Sequence, residues 1–237
     1  MSFWHVRRGI LSFARQRTGP VHVLDAGTGL GQYVYYLTRK FPNWNIYATD
    51  VSANEICECN RFFHRLKYER VLFRTEDLNT MCKKDVFDMV LAVNVVEYID
   101  DHKLVLQNFF NALKPDGMLL LSVQSDKSRV VQPNFTNKLL GNKNVAHRYN
   151  NLELKKLLKE VGFKNIKAHY AYGTSGRIST VLGVSIPKFL IRKSRYFLYL
   201  MPLYYLLCYP LVFVLNSIDA YFVHLSGSEL VVRAYKV

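Results

Sequence analysis

The chain has 237 residues, 32 Lys and Arg against 18 Asp and Glu, half of its residues hydrophobic and 14% aromatic. So many large apolar side chains exclude a disordered tail, and four cysteines at irregular spacing exclude a disulfide scaffold. A net charge of +14 favours anionic partners, whether nucleic acid, anionic lipid or a phosphorylated substrate, and does not choose among them.

One domain over 1–237 is expected, large enough to build a core without staples. The first twenty residues carry four Arg and no unbroken apolar stretch, so they read as part of the mature fold in a cytoplasmic, thiol-reducing setting. Cys57-Glu58-Cys59 has the wrong spacing for a zinc knuckle and lacks a matching pair downstream, so no metal is expected.

Val21–Asp25 is a short apolar, β-branched run that stops at a glycine cluster, and the following YVYYLTRKF reads as a helix. Asn45–Asp50 is a second strand ending in an acid. Ser52 opens another helix, with Glu55 three residues on in capping-box position. Val71–Phe73 is a weak third strand, closed by Glu76-Asp77-Leu78. Phe87–Val93 is almost wholly apolar, as a buried parallel strand should be. A helix near 101–113, a turn at Lys114-Pro115-Asp116-Gly117 and a fifth strand, MLLLSVQ, follow. Asn150–Val161 is an amphipathic helix closed by Gly162. Phe163–Tyr172 and Glu229–Val237 complete the set as a sixth and a terminal strand. The expected fold is α/β: a Rossmann-like, seven-stranded, mostly parallel sheet, with a hydrophobic helical insertion over 173–228 before the last strand. Ligands of such sheets bind at the carboxyl ends of the strands, where every glycine-rich or acidic residue singled out here falls.

Asp25-Ala26-Gly27-Thr28-Gly29-Leu30-Gly31 fits D-x-G-x-G-x-G. Glycines permit positive φ and close backbone approach, and the helix that follows presents free N–H groups. A nicotinamide fingerprint would need glycine where Gln32 stands. The acid two residues before the first glycine also favours a cationic ligand group over a pyrophosphate. Asp50, nineteen residues past Gly31, can accept from both hydroxyls of a ribose, and Asp77 from an adenine amino group.

From Val21 to about Gly162 the sequence resembles the class I S-adenosylmethionine-dependent methyltransferases. The resemblance rests on VLDAGTGLG, Asp50, Glu76-Asp77-Leu78, FDMVLAVNVVEYIDD, LKPDGMLLLSV and HRYNNLELKKLLKEVGF, in that order. It implies S-adenosyl-L-methionine as cofactor. Asp25, Gly27, Thr28, Gly29 and Gly31 would then meet its methionine half, Asp50 and Val51 its ribose, and Asp77 and Leu78 its adenine. Asn94 and Val95 would line the pocket. The opening Phe3-Trp4-His5-Val6-Arg7-Arg8 is similar to that of methyltransferases found among glycan and lipid biosynthesis enzymes. A leading helix within 1–20 could close over the cofactor with Arg7 or Arg8 on its carboxylate, or simply pack Trp4 on the sheet.

The family members that methylate nucleobase amino groups carry N/D-P-P-Y/F after strand four, where this chain has Asn94-Val95-Val96-Glu97. Transfer to oxygen or to an activated carbon needs alignment with the methyl and a base. His147, in the loop before the HRYNN helix, is the base candidate; Glu97 and Tyr98 are weaker ones.

Tyr196–Ile218 is 23 residues without a charge and holds five tyrosines. It is long enough to cross a membrane, but one crossing would strand the last strand on the far side. Pro202 and Pro210, eight residues apart, are expected to break it into short helices, giving a hairpin or an in-plane segment. Lys188, Arg192, Lys193 and Arg195 precede it, and no acid lies between Arg177 and Asp219. Apolar surface beside cations suits peripheral attachment to anionic lipid; a buried lid or a homodimer contact is the bland alternative. The reading is methyl transfer to a hydrophobic or lipid-linked acceptor at a membrane surface. A soluble small-molecule or RNA methyltransferase and a non-catalytic membrane-held adapter are its rivals. Nucleic acid is disfavoured as a partner because no RNA-binding module is present.

Overall fold

The computed structural model describes residues 3–127, 146–194, 196–221, 224 and 226–237. Seven strands run β1 His22–Ala26, β2 Asn45–Asp50, β3 Val71–Thr75, β4 Phe87–Val93, β5 Leu113–Gln124, β6 Lys164–Ala171 and β7 Glu229–Tyr235. They form one sheet in the order β3-β2-β1-β4-β5-β7-β6, parallel except for β7, which is antiparallel to both neighbours. Chain order reverses between β1 and β4, so the crevice for a ligand opens at their carboxyl ends.

Helices α1 Phe3–Ala14, α2 Gln32–Lys40 and α3 Ala53–Arg65 cover one face. Val6, Ile10 and Phe13 of α1 recur every three to four residues and meet Val23, Met89 and Leu120 of the sheet. Helices α4 His102–Ala112 and α5 Asn151–Val161 cover the other face, where Val105, Phe109, Leu154 and Leu158 pack on Ala92, Leu119 and Leu121. Both helices begin where side-chain acceptors satisfy free N–H groups: Asp101 accepts from Leu104, and Asn150 from Glu153. Gly162 closes α5 at φ 116, as its sequence position predicts. The expected turn at 114–117 is an irregularity inside β5: Phe87 pairs with Leu113 but Met89 with Met118, and Asp116 sits at φ 60.

Between β6 and β7 the chain folds as a helical hairpin. The first arm is α6 Thr174–Thr180, a π turn at Val181–Ser185 and α7 Ile186–Lys193; the second is α8 Phe197–Tyr221. Contrary to expectation, Pro202 and Pro210 do not break the second arm, which is one helix of 25 residues. Both prolines lie on its exposed side, where each removes one donor. The proline with the larger local consequence is Pro187. It cannot donate to Gly183 one turn earlier, and the helix widens into the π turn just before it. Tyr204 and Tyr205 of α8 donate to the carbonyls of Leu182 (2.7 Å) and Gly183 (3.1 Å). Two of the five tyrosines therefore serve the hairpin's own backbone. Arg195, at the hairpin tip, lies outside the described residues.

The root of the hairpin is polar and buried. Asp219, 1% exposed, accepts from the backbone N–H groups of Tyr172 (2.9 Å) and Gly176 (3.1 Å) and pairs with His5 (3.1 Å) and His224 (3.0 Å). Burial pushes the Asp219 carboxyl up, but His5 and His224 outweigh it and hold the group below the usual carboxylate range. A side chain at Gly176 would meet Asp219 Oδ1 at 2.8 Å, so only glycine lets the two arms close on this carboxylate. β6 ends and β7 begins at the carboxyl edge of the parallel strands, so the hairpin stands on the same edge as the glycine loop.

Candidate active site

The loop after β1 is fixed by its own carboxylates. Thr28 Oγ1 donates to Asp25 Oδ2 at 2.7 Å, while Gly27 N and Thr28 N donate to Thr49 O of the neighbouring strand. Asp50 ends β2 and accepts from Gly29 N (2.9 Å) and Ser52 N (3.0 Å), locking the loop to the start of α3. Gly27, Gly29 and Gly31 all have positive φ. At Gly27 a Cβ would lie 2.5 Å from Val95, so the two strand ends touch there. At Gly29 the nearest atom to an added Cβ is Glu55 Oε2 at 3.9 Å, leaving open space in front of the backbone. Burial raises the Asp25 carboxyl to about 7, opposed by the Thr28 hydroxyl and reinforced by nearby Asp50. An acid held half-neutral in a buried loop is stabilised by an incoming cation.

The segment after β4 completes the crevice. Asn94 adopts φ 52 and donates its N–H to Ser122 O, which turns the chain toward Val95 and the 3₁₀ turn Val96–Tyr98. Val51 is 56% exposed at the rim. Leu78 is buried under α4 with its carbonyl held by Asn108. Asp77 lies beyond the end of β3, exposed, and one of its oxygens accepts from both nitrogens of Asn79. An open cavity of 460 Å³ lies at the opposite, amino edge beside His22, Asn45 and Val71, away from all of these groups.

Residues 4–168 match the methyltransferase-domain family. The chain belongs to the class I S-adenosylmethionine-dependent methyltransferases. Over 102 residues it is 28% identical to the malonyl-[acyl-carrier protein] O-methyltransferase of Bacillus anthracis, covering 43% of this chain and 37% of that one. It is 22% identical over 212 residues to the bifunctional methyltransferase of Rickettsia prowazekii, covering 76% of this chain and 40% of that enzyme. The chain thus spans about two fifths of these relatives' lengths. In fold it superposes on the phosphoethanolamine N-methyltransferase 2 of Haemonchus contortus in complex with S-adenosyl-L-methionine. That match has a TM-score of 0.66 and 18% identity, and covers 97% of this chain and 52% of that one.

The residues of this crevice fit the family's cofactor. A cationic group suits buried Asp25, ribose hydroxyls suit Asp50, and the space before Gly29 admits a ligand against bare backbone. The candidates Asp25, Gly27, Thr28, Gly29, Gly31, Asp50, Val51, Asn94 and Val95 gather around one crevice. Leu78 faces the core instead.

His147 stands beside this crevice but is engaged elsewhere. Its backbone N–H donates to Glu97 O, while Nε2 lies 3.1 Å from Asp100 O and its ring packs 4.1 Å from that of His102. Glu97 is fully buried, and no side chain hydrogen-bonds either of its carboxyl oxygens. Burial raises its carboxyl to about 8, opposed by the backbone of Glu97 and Gln124 and helped by the charge of Glu229. Tyr149, whose hydroxyl is buried and unpartnered, is pushed up by burial and by Glu97.

Sequence reasoning missed what links this site to the hairpin. Phe3 packs on Tyr33 and Tyr36 of α2, directly behind the glycine loop, at 5.9 and 5.3 Å between ring centres. Arg7 lies over Tyr36, Trp4 packs edge-on to Phe213 of α8, and His5 pairs with Asp219. The first turn of α1 therefore bridges cofactor loop and hairpin, and Trp4 meets the hairpin rather than the sheet. One signal was available: Asp219 is the first acid after Arg177.

Proposed function

We propose that this chain transfers a methyl group from S-adenosylmethionine to an oxygen or activated carbon of a hydrophobic or lipid-linked acceptor, working from the cytoplasmic face of a membrane. The observation that carries the reading is shared position: the cofactor loop and an exposed apolar hairpin rise from one edge of the sheet, bridged by the first turn of α1. S-adenosylmethionine, when bound, supplies an electrophilic methyl. Asp25 would hold its cationic group and Asp50 its ribose, Gly29 would let it approach the backbone, and Asn94 and Val95 would line its pocket. Apolar side chains from α1 and the hairpin keep water from the acceptor, and proximity supplies much of the rate.

For the proton we assign His147, whose loop is pinned to the backbone of Glu97, three residues past Asn94, and whose ring would leave the Asp100 carbonyl to face the acceptor. His147→Ala should lower turnover by roughly 10²–10⁴-fold and leave cofactor affinity unchanged. Turnover within a few-fold of wild type would retire His147 and leave alignment as the source of rate. The test of the whole reading is incubation of the protein and methyl-labelled cofactor with a total membrane extract. Label in the organic phase supports it. Label only in RNA or in water-soluble products replaces the acceptor class, and failure to bind S-adenosylhomocysteine in calorimetry removes the activity.

A further inference from the structure

We propose that the hairpin over residues 174–221 is a docking surface for an anionic lipid leaflet, and that it lies along one leaflet without passing through it. This rests on the functional reading above and names the partner of that site.

Three observations converge. The first is exposure. Among the described residues α8 is the one helix long and apolar enough to cross a bilayer, yet only 6% of its apolar window is buried. Leu206, Leu207 and Tyr209 are 72, 71 and 62% exposed, and Phe189 on the facing arm is 67% exposed. A core helix of a soluble domain does not look like this. Tyr204 and Tyr205 are used inside the hairpin, whereas Tyr196 and Tyr199 are each 82% exposed, presenting an apolar ring with a polar tip.

The second is charge. Lys188, Arg192 and Lys193 stand at the tip, and the one acid of the hairpin, Asp219, is buried at its root. A second copy of this chain would bring the same sign to the contact, on molecules that each carry +14. An anionic headgroup layer brings the opposite sign.

The third is length, and it decides the pose. The 25 residues of α8 span about 37 Å, enough for the roughly 30 Å of hydrocarbon. Its partner arm is not enough. Only ten residues, Ile178–Pro187, separate Arg177 from Lys188, about 15 Å, or half the hydrocarbon. Passing the tip through would also drag three cations across. Lying in one leaflet keeps those cations among headgroups, and because both roots stand on the carboxyl edge of the sheet, that pose turns the crevice toward the membrane.

The test uses the full chain and vesicles of phosphatidylcholine, with and without about one third phosphatidylglycerol. The protein should float with anionic vesicles and much less with neutral ones. Each cation near a charged surface contributes about a factor of five, so the triple variant Lys188→Gln, Arg192→Gln, Lys193→Gln should bind on the order of 10²-fold more weakly. Leu206→Asn with Phe189→Asn should weaken binding with the cations intact. Calorimetry with S-adenosylhomocysteine on the same preparations should be unchanged; its loss in the wild type would strike the functional reading, while its retention without flotation overturns this inference alone. Sedimentation as a dimer that Leu206→Asn dissociates, with no vesicle binding, overturns it in favour of a subunit interface. For the pose, a thiol at Ser194→Cys, with Cys57, Cys82 and Cys208 changed to Ser, should react with an impermeant reagent added outside the vesicles. Protection from that reagent overturns the single-leaflet arrangement.

Discussion

Leu119, Leu120 and Leu121 of β5 are each fully buried, whereas Leu203, Leu206 and Leu207 of α8 are 58, 72 and 71% exposed. Hydropathy along the chain treats the two stretches alike, and their surroundings separate them. β5 has a strand on each side and a helical layer on each face, so its leucines meet apolar neighbours in every direction. α8 has one partner arm, and the face carrying Met201, Tyr204, Cys208 and Val212 turns toward it. The sheet is thus finished by its own chain, whereas the hairpin is finished only at its root. The lesson is that an apolar run declares a need for burial, and topology determines whether the fold itself meets that need.

The sharpest way to break the comparison is at the hairpin's root. Asp219→Ala would strip His5, Tyr172 N and Gly176 N of their shared acceptor in a buried place. Removing one partner from such a set costs about 3–5 kcal/mol. Tm should drop and the hairpin should become the first site of protease cleavage, while Asp219→Asn, which keeps one oxygen and the volume, should fall between. A wild-type Tm and protection pattern in the alanine variant would mean that the root does not hold the hairpin to the sheet.

On the other side of the first turn of α1, Gly27 tests the cofactor loop. Gly27→Ala forces a side chain onto φ 72 and to within 2.5 Å of Val95. The backbone term is about 1–2 kcal/mol and overpacking adds about 1–3. That strain burdens the loop with or without ligand, so Tm should drop, and the displaced backbone should weaken S-adenosylhomocysteine binding by roughly 10-fold or more in calorimetry, with vesicle binding intact, because the hairpin is built from other residues. Equal loss of both would mean that the two regions fold as one unit.

How much of this was legible follows from the range of each interaction. The succession of strands and helices along the chain, the caps at Ser52 and Gly162, and the glycine loop are local patterns, and they sit where the sequence puts them, whereas β5 starts at Leu113 rather than Met118. The last strand was expected in the sheet, and it is there, between β5 and β6. Pro202 and Pro210 misled because a proline costs a helix one hydrogen bond, a loss that a long apolar helix backed by a second arm absorbs. Pro187 mattered more, and carbonyls of the π turn before it accept from tyrosine hydroxyls some twenty residues away, contacts with no local signature. The pairing of His5 with Asp219 spans 214 positions and has no local signature at all. Nor does the full burial of Glu97, which the sequence offers only as a weaker base candidate after strand four.

Glu97 gives a smaller, pH-dependent contrast. Its folded carboxyl titrates near 8 and that of Asp25 near 7, both above the usual carboxylate range because burial disfavours the charged form. The folded state therefore binds more protons than the unfolded one between about pH 4 and pH 8, so stability falls as pH rises through that window. Glu97→Gln has no proton to lose. Its Tm should match wild type near pH 5 and exceed it at pH 9, reflecting a stability difference on the order of a few kcal/mol at most, and the remaining decline should end near pH 7, where Asp25 has ionised. The same Tm loss between pH 5 and pH 9 in both proteins would show that Glu97 is not held neutral.

The smallest effect separates the two regions most cleanly. Leu206→Asn places an amide where the leucine is already 72% exposed and touches little of its own fold. Substitutions at such sites stay within about 0.5 kcal/mol, so Tm and cofactor affinity should not move. The matching change in the sheet, Leu121→Ala, empties a fully buried position and should cost about 2–5 kcal/mol. A leucine that costs nothing to remove from the fold, yet lies in a long apolar stretch with twelve other positions around it more than a third exposed, is not there for the stability of this chain. If Leu206→Asn instead lowered Tm like a core substitution, α8 would be buried in solution against a surface of the same protein. The contrast between β5 and α8 would then disappear.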